Sequence, residues 1–145
     1  MLQFHPRWFL LLIIGIFLAG CESKVSQCQK IKKIHNQLVL DTQEISKSVR
    51  KGDLKAVSKS ADAFAQGAKD MKSVSTNDPK LKEIKDQFAL MYQNSSQVTK
   101  QILDSQSKKK NSEVAKGRAK LSQVASPEKD LVDGVNGYCR AGGAS

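Results

Sequence analysis

The sequence predicts an all-α protein, an antiparallel up-down-up-down four-helix bundle that follows a cleaved signal peptide. Four segments carry apolar residues at alternating spacings of three and four, which is the pattern of helices packed in a bundle. Beyond residue 20 the aromatic residues are few, and this composition favours helices over sheets. Short connections between the segments favour antiparallel neighbours.

The first two helical segments meet at Gly52 and Asp53, which are predicted to be a helix stop and an N-cap. The apolar stripe of the first segment comprises Cys28, Ile31, His35, Leu38, Thr42, Ile45 and Val49. The stripe of the second comprises Leu54, Val57, Ala61, Phe64, Ala68 and Met71. Each stripe predicts one amphipathic helix that buries a single face.

The third segment is predicted to begin with Asp78 as N-cap and Pro79 at the first helical position. Its stripe comprises Leu81, Ile84, Phe88, Met91, Ser95, Val98 and Ile102. The fourth stripe comprises Val114, Gly117, Leu121, Val124, Glu128, Leu131, Val135 and Tyr138. Because Pro127 lacks an amide proton, we expect a kink or a short break within this arm, where Ser126 could also act as a new N-cap. A three-helix bundle with a loose C-terminal arm is the alternative fold.

The first 20 residues read as a signal peptide. The apolar run from Trp8 to Leu18 is shorter than the roughly 20 residues of a membrane span, and Arg7 precedes it. Its end, Leu18-Ala19-Gly20-Cys21, resembles the lipobox of bacterial lipoproteins. That resemblance implies cleavage before Cys21, acylation of Cys21 with chains such as palmitate, and a tethered protein without a transmembrane helix. An uncleaved anchor with a free Cys21 is the alternative.

Cleavage would leave a helical bundle domain of residues 21–145, with a frayed tail from about residue 140. With Cys21 assigned to lipid, Cys28 and Cys139 remain. An exported protein meets an oxidising compartment, so we predict a disulfide between them. A redox-active thiol or a metal ligand is disfavoured because the chain has no Cys-x-x-Cys motif.

The chain is basic, with a formal net charge of +10. In the predicted topology the loops farthest from the anchor form a basic tip, roughly 40 Å away for an arm of this length. The basic tip comprises Arg50, Lys51, Lys55, Lys108, Lys109 and Lys110. A solvated helical surface is the alternative interpretation. Nucleic acid is a poor candidate partner because no aromatic residues are interleaved with the basic ones.

Catalytic and metal-binding patterns are missing from the sequence. His35 is the only histidine after residue 20, and no Glu-x-x-His pair exists for a di-metal bundle. No glycine-rich phosphate loop is present. A single histidine on a helical stripe is more often a core residue than a catalytic base. We therefore predict a protein that is not an enzyme and has no catalytic residue, metal or cofactor.

Several short motifs resemble small helical lipoproteins of cyanobacteria. They are Cys28, Asp78-Pro79-Lys80-Leu81-Lys82, Phe88 with Tyr92, and Asn136-Gly137-Tyr138-Cys139. This resemblance implies a lineage and a fold but no activity. The lumenal four-helix lipoprotein of the photosystem II extrinsic type is similar in size, anchor and basic character, by fold-level analogy. The paired cysteines are a departure from that second family.

The sequence thus predicts a non-enzymatic, membrane-tethered helical module that binds or braces an acidic protein or envelope polymer in the periplasm or lumen. The resemblance to bacterial lipoproteins implies that Glu22, rather than Asp, after the cysteine favours the outer membrane over the inner or thylakoid membrane. One alternative is an extrinsic subunit or assembly factor of a photosynthetic complex. Another is a small-ligand carrier with an interior cavity lined by Ala61, Ala68, Gly117, His35 and Thr42.

Overall fold

The computed structural model describes residues 23–50 and 53–141. These residues form five helices: α1 (Lys24–Arg50), α2 (Leu54–Ser73), α3 (Pro79–Ser107), α4 (Asn111–Ala125) and α5 (Glu128–Ala141). No strand occurs in these two ranges, so the predicted all-α class and the helical bundle are confirmed. The predicted signal peptide and the lipidation site Cys21 lie outside the described residues.

Two of the predicted helix starts are confirmed by their caps. Asp53 accepts hydrogen bonds from the amides of Lys55 and Ala56, at 2.9 and 3.3 Å. Asp78 accepts from the amides of Lys80 and Leu81, each at 2.9 Å. Each carboxylate therefore satisfies two amides that a helix start leaves without an intrahelical partner.

The predicted fourth arm is two helices separated at Ser126 and Pro127. The Ser126 amide donates to the carbonyl of Gln123 at 3.3 Å, and its hydroxyl donates to the same oxygen at 2.9 Å. The first hydrogen bond of α5 joins the Leu131 amide to the Pro127 carbonyl at 3.0 Å. Ser126 therefore closes α4 and does not act as the N-cap of α5, because its side chain already bonds to the preceding turn.

Helix α3 forms the centre of the bundle, since it packs against each of the other four helices. The largest fully buried side chains are Tyr92, Phe88, Ile31, Met71 and Leu81. α5 adds Leu131 and Val135 to the core, whereas α4 contributes no buried side chain. The stripe position Leu54 is also 40% exposed, because it is the first residue of α2 and projects beyond the core. Most of the buried side chains of the core therefore come from α1, α2 and α3.

Close approach between helices depends on small residues at two positions. A Cβ atom on Gly67 of α2 would lie 2.9 Å from Leu38 Cδ2 of α1. A Cβ atom on Gly117 of α4 would lie 2.6 Å from Ile102 Cγ1 of α3. The terminal Leu38 methyl group can shift away from a side chain at position 67, whereas Ile102 Cγ1 lies close to its own backbone, so the requirement for glycine is stricter at Gly117.

The predicted pairing of Cys28 with Cys139 is confirmed. Their sulfur atoms are 2.05 Å apart and their Cα atoms 5.9 Å apart, which joins α1 to α5. Next to this link, the Tyr138 hydroxyl donates to Asp78 Oδ2 at 2.8 Å, and the Lys24 ammonium lies 3.6 Å from the centre of the Tyr138 ring. The starts of α1 and α3 and the end of α5 therefore meet at this pole.

Candidate functional site

A cleft of about 390 Å³ opens between α1 and α4 and reaches the core. The two helices make no extended backbone contact with each other, and α4 has no buried side chain that would fill the space between them. Its apolar wall consists of Leu38, Val39, Phe64, Met91, Tyr92, Leu121 and Ala125. Its polar lining consists of Thr42, Ser95, Arg118, Ser122 and Glu128. The volume and the apolar walls fall within the range of small-molecule sites.

A buried hydrogen bond lies at one end of this cleft. His35 Nδ1 is 2.8 Å from the Tyr92 hydroxyl and 3.9 Å from Glu128 Oε1. The ring of His35 also packs against Phe88, with a centroid distance of 5.4 Å. This cluster joins α1, α3 and α5 through side chains that are distant in the sequence.

The protonation states of this cluster follow from its burial. Burial lowers the pKa of His35, and the nearby Glu128 carboxylate opposes that effect only in part. Burial and the same carboxylate raise the pKa of Tyr92. His35 Nδ1 and the Tyr92 hydroxyl therefore form a hydrogen bond between two neutral groups, and the tautomer of His35 sets which of them donates.

The cluster gives no support to a catalytic assignment. The raised pKa of Tyr92 keeps its hydroxyl protonated at neutral pH, so it is a poor nucleophile. Ser95 lines the cleft, but its hydroxyl makes no hydrogen bond to a histidine in the described part of the chain. Across residues 23–50 and 53–141, no group of three or more His, Cys, Asp and Glu side chains is arranged to hold a metal ion.

The cavity residues expected from the sequence are not gathered around one space. Thr42 lines the cleft, and His35 lies beside it through its contacts with Tyr92 and Glu128. The other three predicted members serve helix packing. Ala61 accepts a hydrogen bond from the Ser96 hydroxyl, Ala68 is buried in the core, and Gly117 faces Ile102.

Sequence reasoning missed several residues of the cleft, above all Arg118 and Ser95. One signal was present, because three positions on the apolar stripes of α1 and α3 carry polar side chains. These positions are His35, Thr42 and Ser95, and all three lie at or beside the cleft. Arg118 carried no comparable signal, since it is an exposed charged residue outside the predicted apolar stripe of its helix.

The predicted basic tip is described only in part. Lys108, Lys109 and Lys110 are exposed in the turn between α3 and α4, and Lys55 is exposed near the start of α2. Lys108 pairs with Asp104 at 2.8 Å, whereas Lys109 and Lys110 have no ion pair within the described ranges. Lys51 and the side chain of Arg50 lie outside the described residues.

The turn that carries this lysine run has an unusual backbone. Lys109 adopts a φ of 55°, in the left-handed region that L residues other than glycine and asparagine rarely occupy. The amides of Lys108 and Lys110 donate to the carbonyls of Asp104 and Ser105, which closes the end of α3. The turn thus presents consecutive lysine side chains outward from one helix end.

Comparisons with protein-family models, with curated proteins and with solved structures found no match. Among the helices of residues 23–141 that the structure describes, none combines the length and the apolar character that a bilayer crossing requires. The functional assignment below therefore rests on the residues and their geometry.

Proposed function

We propose that this chain is a lipid-anchored, non-enzymatic helical module that binds or braces an acidic protein or envelope polymer on the periplasmic or lumenal side of a membrane. The observation that carries the proposal is the run Lys108, Lys109 and Lys110, which is exposed and carries two lysines without an ion pair in the described ranges. Unpaired surface cations attract an acidic surface over several ångströms.

The proposal includes helices that alternate in direction, with α4 and α5 together forming the fourth arm. Contacts between neighbours support it. Gln27 near the start of α1 bonds to Thr76 after the end of α2, and Leu38 further along α1 faces Gly67 within α2. In this arrangement the pole with Cys28 and Cys139 lies nearest the anchor, and the lysine run lies at the far end.

The lipid anchor is tested by the intact mass of the membrane-extracted protein, measured with and without reduction. The proposal predicts the mass of residues 21–145 plus acyl chains, increasing by two hydrogens on reduction. An unacylated chain that begins before Cys21 would refute the anchor. Because the disulfide has its own mass signature, the two features are judged separately.

The basic tip is tested with poly-L-glutamate as an acidic probe. Replacing Lys109 and Lys110 with glutamine should weaken binding roughly fivefold to thirtyfold, because two exposed ion pairs contribute about 0.5–1 kcal/mol each. The matched control replaces Lys80 and Lys82, which are exposed in the first turn of α3, with glutamine. Equal losses in the two double variants would show that net charge alone attracts the polymer and would refute a specific tip.

A second candidate function, a small-ligand carrier, is favoured by one specific observation. The cleft between α1 and α4 has a volume of about 390 Å³, is lined largely by apolar side chains and reaches the buried Tyr92. A protein that served only as a brace would gain stability from filling this space. The expected role as a subunit or assembly factor of a photosynthetic complex stays a prediction.

A further inference from the structure

We propose that the cleft between α1 and α4 binds an anionic amphiphile, an unbranched apolar chain that ends in a carboxylate. The apolar chain would lie against the core side chains, and the carboxylate would lie at Arg118. This proposal rests on the second candidate function and adds to it the chemical class and the orientation of the ligand.

The floor of the cleft fits an apolar chain. Leu38 and Met91 are buried core residues, Phe64 and Leu121 are half-buried, and all four line the same space. No charged side chain lies among these four. When an apolar ligand chain covers them, the surface of the chain and the surface of the side chains are both removed from water. Burial of this kind contributes about 25 cal/mol per Å² of apolar surface.

The charged residues of the cleft lie toward its two ends. Arg118, at the middle of α4, is the first residue of that helix to line the cleft, and Glu128 begins α5 after the break. The seven steps from Arg118 to Ala125 already span about 10 Å along the helix axis. A carboxylate is therefore attracted to the end at Arg118 and repelled from the end at Glu128, which orients the ligand.

Arg118 is available for a ligand, whereas Glu128 is partly engaged. Across residues 23–50 and 53–141, the Arg118 guanidinium makes no ion pair or side-chain hydrogen bond, and its side chain is exposed. The Glu128 carboxylate lies 3.9 Å from His35 Nδ1. An arginine can donate two parallel hydrogen bonds to one carboxylate, and the opposite charges strengthen this pair in a way that a neutral or cationic ligand cannot match.

Ser95 supplies an independent observation. Only 2% of its surface is exposed, it lines the cleft, and its hydroxyl has no hydrogen-bond partner in the described part of the chain. The one fully buried side-chain polar atom without a partner among the described residues is Gln106 Oε1, so the Ser95 hydroxyl is accessible from the cleft that Ser95 lines. A ligand oxygen or a water molecule carried in the cleft would satisfy it.

The experiment uses the full chain in native membrane vesicles and a twelve-carbon carboxylate that carries a diazirine near its methyl end. Ultraviolet light links the probe to nearby residues, and mass spectrometry maps the adducts. We expect adducts on Leu38, Phe64, Met91 or Leu121. Excess dodecanoate should reduce labelling about tenfold, whereas dodecyltrimethylammonium at the same concentration should change it less than about twofold.

Two pairs of variants locate the binding site. R118Q should lower labelling in the cleft roughly fivefold at a limiting probe concentration, because the lost ion pair is exposed. K120Q removes the same charge from the groove on the other side of α4 and should have less than about a twofold effect. A125W should block labelling by filling the cleft, whereas A119W places the same ring on the exposed side of α4.

The possible outcomes separate the class of ligand from the carrier function. Two results would overturn the anionic class of ligand and leave the carrier function standing. In the first, dodecyltrimethylammonium reduces labelling of the cleft as strongly as dodecanoate does. In the second, R118Q leaves labelling of the cleft unchanged. Adducts confined to exposed apolar residues such as Leu40 and Leu90, or labelling unaffected by A125W, would overturn both. Neither result depends on the lysine run, so the basic-tip proposal is judged on its own experiment.

Discussion

Removing the link between Cys28 and Cys139 should destabilise the bundle strongly. The two residues are separated by 111 positions, so their bond restricts almost the whole folded domain in the unfolded state. The loop-entropy relation gives about 5 kcal/mol at 25 °C for a loop of this length, and measured losses for small exported domains are about 2–5 kcal/mol. Because single domains are stable by only about 5–15 kcal/mol, this link carries a large share of the total.

The perturbation is the double variant C28A/C139A, and the assay is urea denaturation followed by far-ultraviolet circular dichroism. Alanine removes the thiols without placing a hydroxyl at Cys28, which is only 3% exposed. We expect the free energy of unfolding to fall by about 2–5 kcal/mol, and the oxidised wild type to lose about the same amount when it is reduced. A matching loss in the two experiments would separate the effect of the cross-link from that of side-chain packing.

A loss below about 1 kcal/mol would refute this reasoning, because it would mean that the link does not restrict the unfolded chain. Hydrogen exchange provides a second check. Without the link, α5 retains Leu131 and Val135 in the core and the bond from Tyr138 to Asp78. Amides that exchange only through global unfolding should therefore lose protection by the same free energy, and a loss confined to the end of α5 near Cys139 would contradict an effect on the unfolded chain.

The remaining predictions concern backbone strain, packing and pH. K109G should stabilise the chain by about 1 kcal/mol, measured by urea denaturation, because glycine adopts the observed φ of 55° without strain. G117A should destabilise the chain, because the new Cβ atom would lie 2.6 Å from Ile102 Cγ1. The Cβ atom of G134A would have no neighbour within 4 Å, so this variant should stabilise the chain by about 1 kcal/mol through helix propensity. The lowered pKa of His35 means that the folded state binds the proton less well than the unfolded state. Its contribution to stability should be complete above about pH 6.5 and decrease as the pH falls toward the lowered folded value, and H35Q should flatten that slope.

Each of these predictions has a result that would contradict it. A loss of stability in K109G would show that the lysine side chain contributes more than its backbone strain costs. Equal effects of alanine at the two glycines would exclude a close contact between α3 and α4 at Ile102. If H35Q leaves the dependence of stability on pH unchanged, other groups cause that dependence. The Asp78 carboxyl has a lowered pKa, so it contributes only at more acidic pH.

Local signals in the sequence were sufficient to predict the helical class and the starts of α2 and α3. Asp53 and Asp78 each precede an apolar stripe, and their carboxylates cap the amides that any helix start leaves unpaired. The pairing of Cys28 with Cys139 was also predictable, because the predicted acylation of Cys21 leaves a single possible connection among the three cysteines. The break at Pro127 followed from its missing amide proton.

Only the tertiary structure determined the cleft and its polar lining. Leu121 and Val124 follow the spacing of a buried stripe, yet α4 contributes no buried side chain, since burial depends on the distance to α1. His35 and Tyr92 are 57 positions apart, and no local pattern specifies that they share a hydrogen bond. Apolar periodicity shows which face of a helix is to be covered. The residues that cover it, and the space left between them, depend on how helices distant in the sequence pack together.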